Sequence, residues 1–298
     1  MRSRSGYSRD EDAFGRQNPE QSGDFNSAQN GIMMTSTLML SVVLVTCGAQ
    51  EAAAEVAPAT HVTEVVPAPD PEAERWLDRI EKRFGDVKSL HADLVYRRID
   101  GVDVLDDKQT HKGTIVFVVG PPAKFSVNFV KLIVDRRPVP QDVWYIFDGQ
   151  WLVESNRTEK IFTKDQIVPP DAPAEQANPL ASGRGPFYLP INARKKEVLQ
   201  RFHVTLKKAA KSDPPNSLHF ELIPRAGRQR RITRIDLWYD RETLLPVRAE
   251  TLDTGPNQSI VIVKNAAVNR KVDPKRFDVS VPRGRGWRTT VRPYKKPE

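Results

Sequence analysis

The sequence predicts a mainly β protein: one strongly curved antiparallel sheet, an incomplete β-barrel, with two or more short helices packed into or over its concave side. Three observations predict it. The apolar period changes from about 3.6 to about 2 after a helix that begins near residue 72. Turn signals such as Asp100-Gly101, Gly120-Pro121-Pro122 and Asp148-Gly149 then punctuate short apolar runs. No regular alternation of strand and helix occurs, which argues against βαβ units.

The elements follow in order. Asp70 and Pro71 are an N-cap and a first-turn residue, and the helix after them places Trp76, Leu77, Ile80 and Phe84 on one face before Gly85 closes it. Leu90, Ala92, Leu94 and Tyr96 then alternate with polar residues. Further runs cover Thr114 to Val119, Lys124 to Val130, Val143 to Phe147, Trp151 to Val153 and Lys160 to Thr163. A Pro- and Gly-rich stretch over residues 165–186 interrupts the pattern, and loops of that length are usually functional or mobile. Asn192 is expected to cap a second short helix with Ile191, Val198, Leu199 and Phe202 on one side. Strands resume at Phe202 to Leu206, Leu218 to Ile223, Ile232 to Tyr239, Pro246 to Thr251 and Ser259 to Val263, about ten in all.

Ahead of this domain, residues 1–30 are polar and without apolar period, as in a disordered extension. The adjoining Met33 and Met34 offer an alternative start of translation. Residues 31–54 hold an apolar run, Ile32 to Val45, that matches a signal-peptide core and is shorter than the roughly 20 residues of a membrane span. Two processing routes fit it: cleavage after Ala49 or Ala54, and lipidation of Cys47 behind Leu44, Val45 and Thr46. Both place the mature protein outside the cytoplasm, in the periplasm or envelope, free or lipid-anchored. Residues 55–71 form a linker, residues 72–284 the domain, and residues 285–298 a basic tail.

Composition narrows the function. With 39% hydrophobic and 28% charged residues among 298, the chain can bury a real core. Its single cysteine excludes an intramolecular disulfide and a cysteine-rich metal site. The five histidines, His61, His91, His111, His203 and His219, form no pair at ligand spacing and are expected to face solvent. Asp106-Asp107 and Asp240 with Glu242 lie at turns, where Asp stabilises a reversal. No nucleophile elbow, phosphate loop, dinucleotide fingerprint or paired-histidine helix occurs, so binding is expected instead of catalysis, with no cofactor and no metal. Much of the net charge of +8 sits in Arg225 to Arg231 and Arg283 to Lys296. Such runs are either solvated or suit anionic surfaces. An anionic membrane contacted by Arg285, Arg288, Arg292, Lys295 and Lys296 is the expected partner of the second run; no nucleic acid is expected, and the chain is expected to be a monomer.

The recurrent aromatic residues are the other signal. A curved sheet that two short helices cannot fill leaves an apolar hollow suited to acyl chains. Trp76, Leu77, Ile80, Phe84, Phe125, Phe129, Phe187 and Leu189 are its expected lining. On that reading Phe125 borders open space, so its truncation should cost less stability than truncation of Ile235 in the packed core.

Several segments, in order, resemble the LolA-like family of periplasmic outer-membrane lipoprotein carriers. The resemblance runs from about Trp76 to Gly284. It rests on Trp76-Leu77-Asp78-Arg79-Ile80 leading through Ser89-Leu90 into Ala92-Asp93-Leu94, on Gly113-Thr114-Ile115, on Pro122-Ala123-Lys124-Phe125, and on Asp148-Gly149-Gln150-Trp151. Asp240, Thr243, Leu245 and Pro246 resemble a later hairpin, and Asp273, Phe277, Val279, Pro282 and Gly284 the closing segment. The resemblance implies a half-open barrel whose helices close an apolar cavity for lipoprotein acyl chains. The family's carriers have an arginine that helps hold the helical lid closed; Pro121 stands at that position here. A lipoprotein or lipid carrier is therefore the expected function. The alternative is a regulatory module on the same fold that senses lipoprotein or binds a membrane-protein partner.

Overall fold

In a computed structural model, the alternating runs assemble into a single twelve-stranded sheet, and the structure describes residues 70–99, 108–172, 178–225, 231–255 and 257–295. All of them fall within one compact unit, Thr63–Glu298. The signal segment, Cys47, His61, Asp106-Asp107 and Lys296 lie outside the described residues.

Helix α1 (Pro71–Gly85) precedes strands β1 (Ser89–Ile99), β2 (Lys108–Val118), β3 (Lys124–Val134), β4 (Arg137–Phe147), β5 (Trp151–Asn156) and β6 (Ile161–Gln166). Two short helices, α2 (Pro179–Ser182) and α3 (Lys195–Arg201), lead into β7 (Phe202–Lys207), β8 (Ser217–Pro224), β9 (Ile232–Asp240), β10 (Pro246–Asp253) and β11 (Gln258–Val268). A 3-10 turn, Pro274–Phe277, and strand β12 (Arg288–Arg292) end the fold. The spatial order is β12-β6-β5-β4-β3-β2-β1-β11-β10-β9-β8-β7. Every pair is antiparallel except β12 on β6. Since β12 and β7 are the two ends of that order, the sheet is mainly β architecture without closure: an incomplete barrel, as the alternation predicts.

Asp70 sets where α1 begins and where it sits. One carboxylate oxygen accepts the N–H groups of Glu72 and Ala73 at 3.0 Å, satisfying two donors that a helix start leaves open. The other accepts the Leu206 N–H at 2.8 Å, on the outermost strand β7. A single side chain thus caps the helix, pins it to the sheet edge and occupies an edge donor.

Three parts of the sequence reading change. Asn192 does not cap α3: it sits in a turn with φ of 56°, and the helix starts at Lys195 behind Arg194, which makes no side-chain cap. Strands β3 and β4 run on to a tight turn at Asp135 and Arg136, both with positive φ, through Pro138 and Pro140, which had masked the second strand. The range read as a basic tail contains β12, because Arg292 forms a two-point ion pair with Asp165 of β6 and Trp287 packs on the Ile146, Val153 and Phe162 cluster. Gly113 is required where β2 crosses an irregularity in β3: a Cβ there would collide with the Asn128 carbonyl.

Burial by itself would raise the Asp70 carboxyl, but its backbone hydrogen bonds from Ala73, Leu206 and Glu72 outweigh that and hold it below the usual carboxylate range. A depressed native pKa adds stability that is present above the unfolded value, about 3.9, and is lost as pH falls through the folded one. Asp70→Ala should therefore cost about 1 to 2 kcal/mol at neutral pH, with the gap from wild type closing below about pH 4. Denaturant midpoints across pH 2 to 7 check this; a gap independent of pH would mean that the carboxylate charge contributes nothing.

Candidate functional site

The inner face of the sheet is apolar over β1 to β4 and β7 to β11. Leu94, Ile115, Phe125, Val127 and Phe147 on one half and Phe220, Leu222, Ile235 and Val261 on the other share one buried cluster with Ile80 and Phe84 of α1. The long connection between β6 and α3 is the largest contributor from outside the sheet. Its Leu180, Leu189 and Ile191 are fully enclosed, and Phe187 and Tyr188 nearly so. Burial of an irregular segment requires partners for its backbone. The Leu189 N–H donates to the Leu180 carbonyl at 3.0 Å, the Asn178 amide donates to the Ile191 carbonyl at 2.6 Å, and the Tyr239 hydroxyl donates to the Pro190 carbonyl at 3.4 Å.

The eight residues read as a cavity lining divide between two places. On the β1 to β4 side, Phe129 and Phe187 pack at 6.4 Å, Tyr96 lies 5.5 Å from Phe187, and Phe125 lies 5.8 Å from Phe147. These rings pack against one another, and Phe84 and Leu189 are likewise enclosed. On the β7 to β9 side, Leu77 and Ile80 border a cavity of about 20 Å³ together with Val198, Phe220, Leu222, Leu237 and Tyr239. That is room for about one water, against about 300 Å³ or more in ligand sites. Trp76 is half-buried at the rim, covered by the Arg79 guanidinium at 4.0 Å. Residues 178–191 pack their apolar side chains into the same cluster on the concave side of the sheet.

Sequence reading missed Lys195, which ties the two covering helices together. Its ammonium donates to Asp78 at 2.8 Å and lies 3.3 Å from Glu74, while its backbone N–H donates to Glu81 at 3.0 Å, all three on α1. The hydrogen bond to Asp78 is the main cause of a lysine pKa above the ordinary value. Where the carriers it resembles have an arginine, Pro121 lines a separate cleft of about 510 Å³ on the far side of α3, with Arg194, Glu197, Gln200 and Arg201.

His111 and His219 are part-buried instead of solvent-facing. His111 stacks on Tyr96 at 5.7 Å and bonds Gln141 at 3.1 Å, and burial lowers its pKa so that it is neutral in the core. His219 stacks on Trp238 at 4.3 Å on the outer face and bonds Asp236 at 3.0 Å. Asp240 behaves as read: one oxygen accepts the Glu242 and Thr243 N–H groups and the Thr243 hydroxyl in the β9 to β10 turn. Among the described residues, no three His, Cys, Asp or Glu side chains converge as a metal site, and no helix is long and apolar enough to cross a membrane.

No family model and no curated protein matches the chain. Solved structures align with it at low similarity. An uncharacterized conserved protein from Thermus thermophilus has a TM-score of 0.42 and 11% identity over 74% of this chain and 99% of its own. The Mycobacterium tuberculosis lipoprotein LppX has 0.39 and 11%, over 68% of this chain and 100% of its own. A LolA superfamily protein from Nitrosomonas europaea has 0.32 and 10%, over 69% and 97%. The family named from the sequence is thus represented among the aligned structures. At these scores neither fold nor function is carried across, and the architecture rests on the sheet itself.

Enclosure of Phe125 reverses the expectation drawn for it. Phe125→Ala should cost about 3 to 5 kcal/mol, at least as much as Ile235→Ala, whereas Leu77→Ala at the cavity edge should cost less than either. Chemical denaturation of the three variants measures this; a Phe125→Ala midpoint near wild type would restore the open hollow.

Proposed function

We propose that the protein is a non-enzymatic, exported envelope protein that binds acyl chains of lipoproteins or lipids inside its half-barrel and carries them. One observation supports this reading above the rest: the small cavity on the β7 to β9 side is covered by α1, by Pro190 and Ala193 of the connection and by α3, and the two helices are joined at their exposed rim by Lys195. Exposed ion pairs contribute about 0 to 1 kcal/mol each, and a seven-residue helix is marginal without its contacts. Each methylene transferred into the interior is worth about 0.8 kcal/mol. A chain of ten or so carbons would therefore offset displacement of α3, enlarging the cavity beneath it. The closed structure is the unliganded form in this reading.

The deep segment, residues 178–191, stays seated. Its five buried apolar side chains are worth about 1.5 to 3 kcal/mol each, far more than the α3 rim. Ligand access is accordingly assigned to α3 and the rim of α1, with Leu77 and Ile80 touching the chain, while Phe84, Phe125, Phe129, Phe187 and Leu189 form the floor and Trp76 the mouth.

Delivery to an anionic membrane is assigned to exposed cations of the C-terminal segment, Arg285, Arg288 and Lys295, with Lys296 beside them in sequence. Arg292 is occupied by Asp165 and serves the sheet instead. The alternative function, a regulatory module with a membrane-protein partner, draws on a different feature. A groove of about 680 Å³ on the outer face, lined by Trp144, Phe162, Arg276, Arg283 and Trp287, offers apolar and cationic contacts to a protein. Mass spectrometry of the purified protein from an envelope extract, reading bound lipid and bound protein together, separates carrier from sensor.

Titration with a fluorescent fatty acid tests the carrier reading. Lys195→Ala should speed association several-fold with less than about 1 kcal/mol lost in stability, and Ile80→Glu should abolish binding. Wild-type protein that takes up no acyl probe would sink it. For the membrane contact, Arg285→Glu with Arg288→Glu should weaken binding to phosphatidylserine vesicles, and salt should weaken wild-type binding too. Unaltered vesicle binding in the variant would remove these residues from the role.

A further inference from the structure

The groove on the outer face of the sheet is open without displacement of any element. After β11 the chain turns at Pro274–Phe277 and runs on across the sheet, held down by Phe277, Val279 and Trp287 on the Ile146, Val153 and Phe162 cluster. Between this anchored wall and the strands lies the space of about 680 Å³. Its floor follows one cross-strand row: Trp144 on β4, Ser155 on β5 and Phe162 on β6, side by side in the register.

Floor and wall differ in chemistry. Ser155 is 5% exposed and lines the groove, and its hydroxyl has no hydrogen-bond partner among the described residues. Covering that hydroxyl with pure hydrocarbon would strand it, so an occupant has to bring a polar group to this depth as well as an apolar one. The wall contributes Lys275, Arg276 and Arg283, all exposed and without an ion pair among the described residues. The two carboxylates of the lining are engaged locally: Asp273 accepts the Lys275 N–H at 3.0 Å and Asp278 the Ser280 N–H at 2.9 Å. Arg157 is engaged too, 4.7 Å above the Trp144 ring and 3.8 Å from Asp142. Three cations thus remain for an anionic partner, above a floor that asks for an apolar side chain and one hydrogen bond.

We propose that this groove binds an extended acidic peptide of a protein partner. Its carboxylates meet Lys275, Arg276 and Arg283, one apolar side chain packs over Phe162 and Trp287, and its backbone reaches the Ser155 hydroxyl. An extended peptide carries a backbone polar group about every 3.3 Å beside its side chains, so it meets all three demands at once. A bilayer surface cannot reach a concave floor, and an acyl chain satisfies neither Ser155 nor the cations. Tryptophan and arginine are also the residue types that dominate binding at protein contacts. The groove lies on the opposite face of the sheet from the acyl-chain cavity, and the inference is independent of the carrier function. It rests on the reading of the groove as a protein contact, given above as the alternative, and adds the chemistry of the partner.

Fluorescence anisotropy with three labelled peptides of equal length tests it: one of Glu and Asp around a central Leu-Phe pair, its Gln and Asn counterpart, and an acidic peptide with Ser in place of the pair. The first should bind wild-type protein about tenfold tighter than either of the others, and salt should shrink its margin over the amide peptide. Arg276→Glu with Arg283→Glu, at an unchanged denaturation midpoint, should remove that margin. Ser155→Phe, checked for native circular dichroism, should weaken the first peptide by filling the floor. Equal binding of the acidic and amide peptides to wild type, or a margin that survives charge reversal, overturns the acidic partner and leaves the groove as a protein contact. An acidic peptide that binds as tightly without Leu-Phe overturns it too, by reducing the groove to surface attraction. If phosphatidylserine vesicles displace the first peptide and the charge-reversal variant loses vesicle binding, the cations belong to a membrane contact and the proposal is overturned. If none of the peptides binds, the protein-contact reading falls with it.

Discussion

A curled sheet that stops short of closure has an inner face that must be kept dry, and the rest of this structure answers that requirement. The inner positions of β1 to β4 and β7 to β11 are Phe, Leu, Ile and Val, so water in the hollow would forfeit the largest favourable term in folding. Side chains of the sheet alone cannot meet across an open half-barrel. Helix α1, the segment 178–191 and α3 supply the missing volume, and each is held by the means its own structure allows. The helix is capped and anchored by Asp70. The irregular segment is cross-linked by its own backbone and by Asn178 and Tyr239. The short helix is tethered by Lys195.

These attachments differ in strength, and the difference is what makes a binding function physically reasonable. Together the enclosed side chains of the 178–191 segment are worth more than the exposed contacts at Lys195. A small void on the β7 to β9 side marks looser packing there. On the aromatic side Phe125 packs on Phe147 and Phe129 on Phe187. The polar contact between α3 and α1 is made by Lys195 with Asp78 and Glu74.

The outer face is not uniformly solvated either. The chain after β11 crosses it, covers Ile146, Val153 and Phe162, and adds a parallel strand at the far edge of the sheet. On β8 and β9, buried Trp238 and Asp236 and part-buried His219 form a polar layer. Burial pushes the Asp236 carboxyl up, and hydrogen bonding and charge from His219 and Arg234 more than offset it, leaving the group below its ordinary range. These coverings occupy sheet surface that would otherwise be two long exposed apolar stretches.

By itself the sequence determines the mainly β class, α1 with its Asp70 cap and apolar face, most strands and the Asp240 turn, because each depends on side-chain periodicity or on contacts within a few residues. Only the tertiary structure decided what lies inside the barrel. Leu180 occurs in the Pro- and Gly-rich stretch and Phe187 and Leu189 just after it, without a strand or helix period, so their full burial depends on strands that precede and follow them. For the same reason Phe125 is legible as inward-facing but not as enclosed. Lys195 is one more surface lysine until α1, more than a hundred residues earlier, is brought beside it. Strand β12 has the composition of a solvated tail, and it is a strand because Asp165 and the Ile146 cluster are there to receive it. Pattern along the chain reports which face a residue takes, whereas packing density, and with it the candidate site, depends on what the rest of the chain places opposite that face.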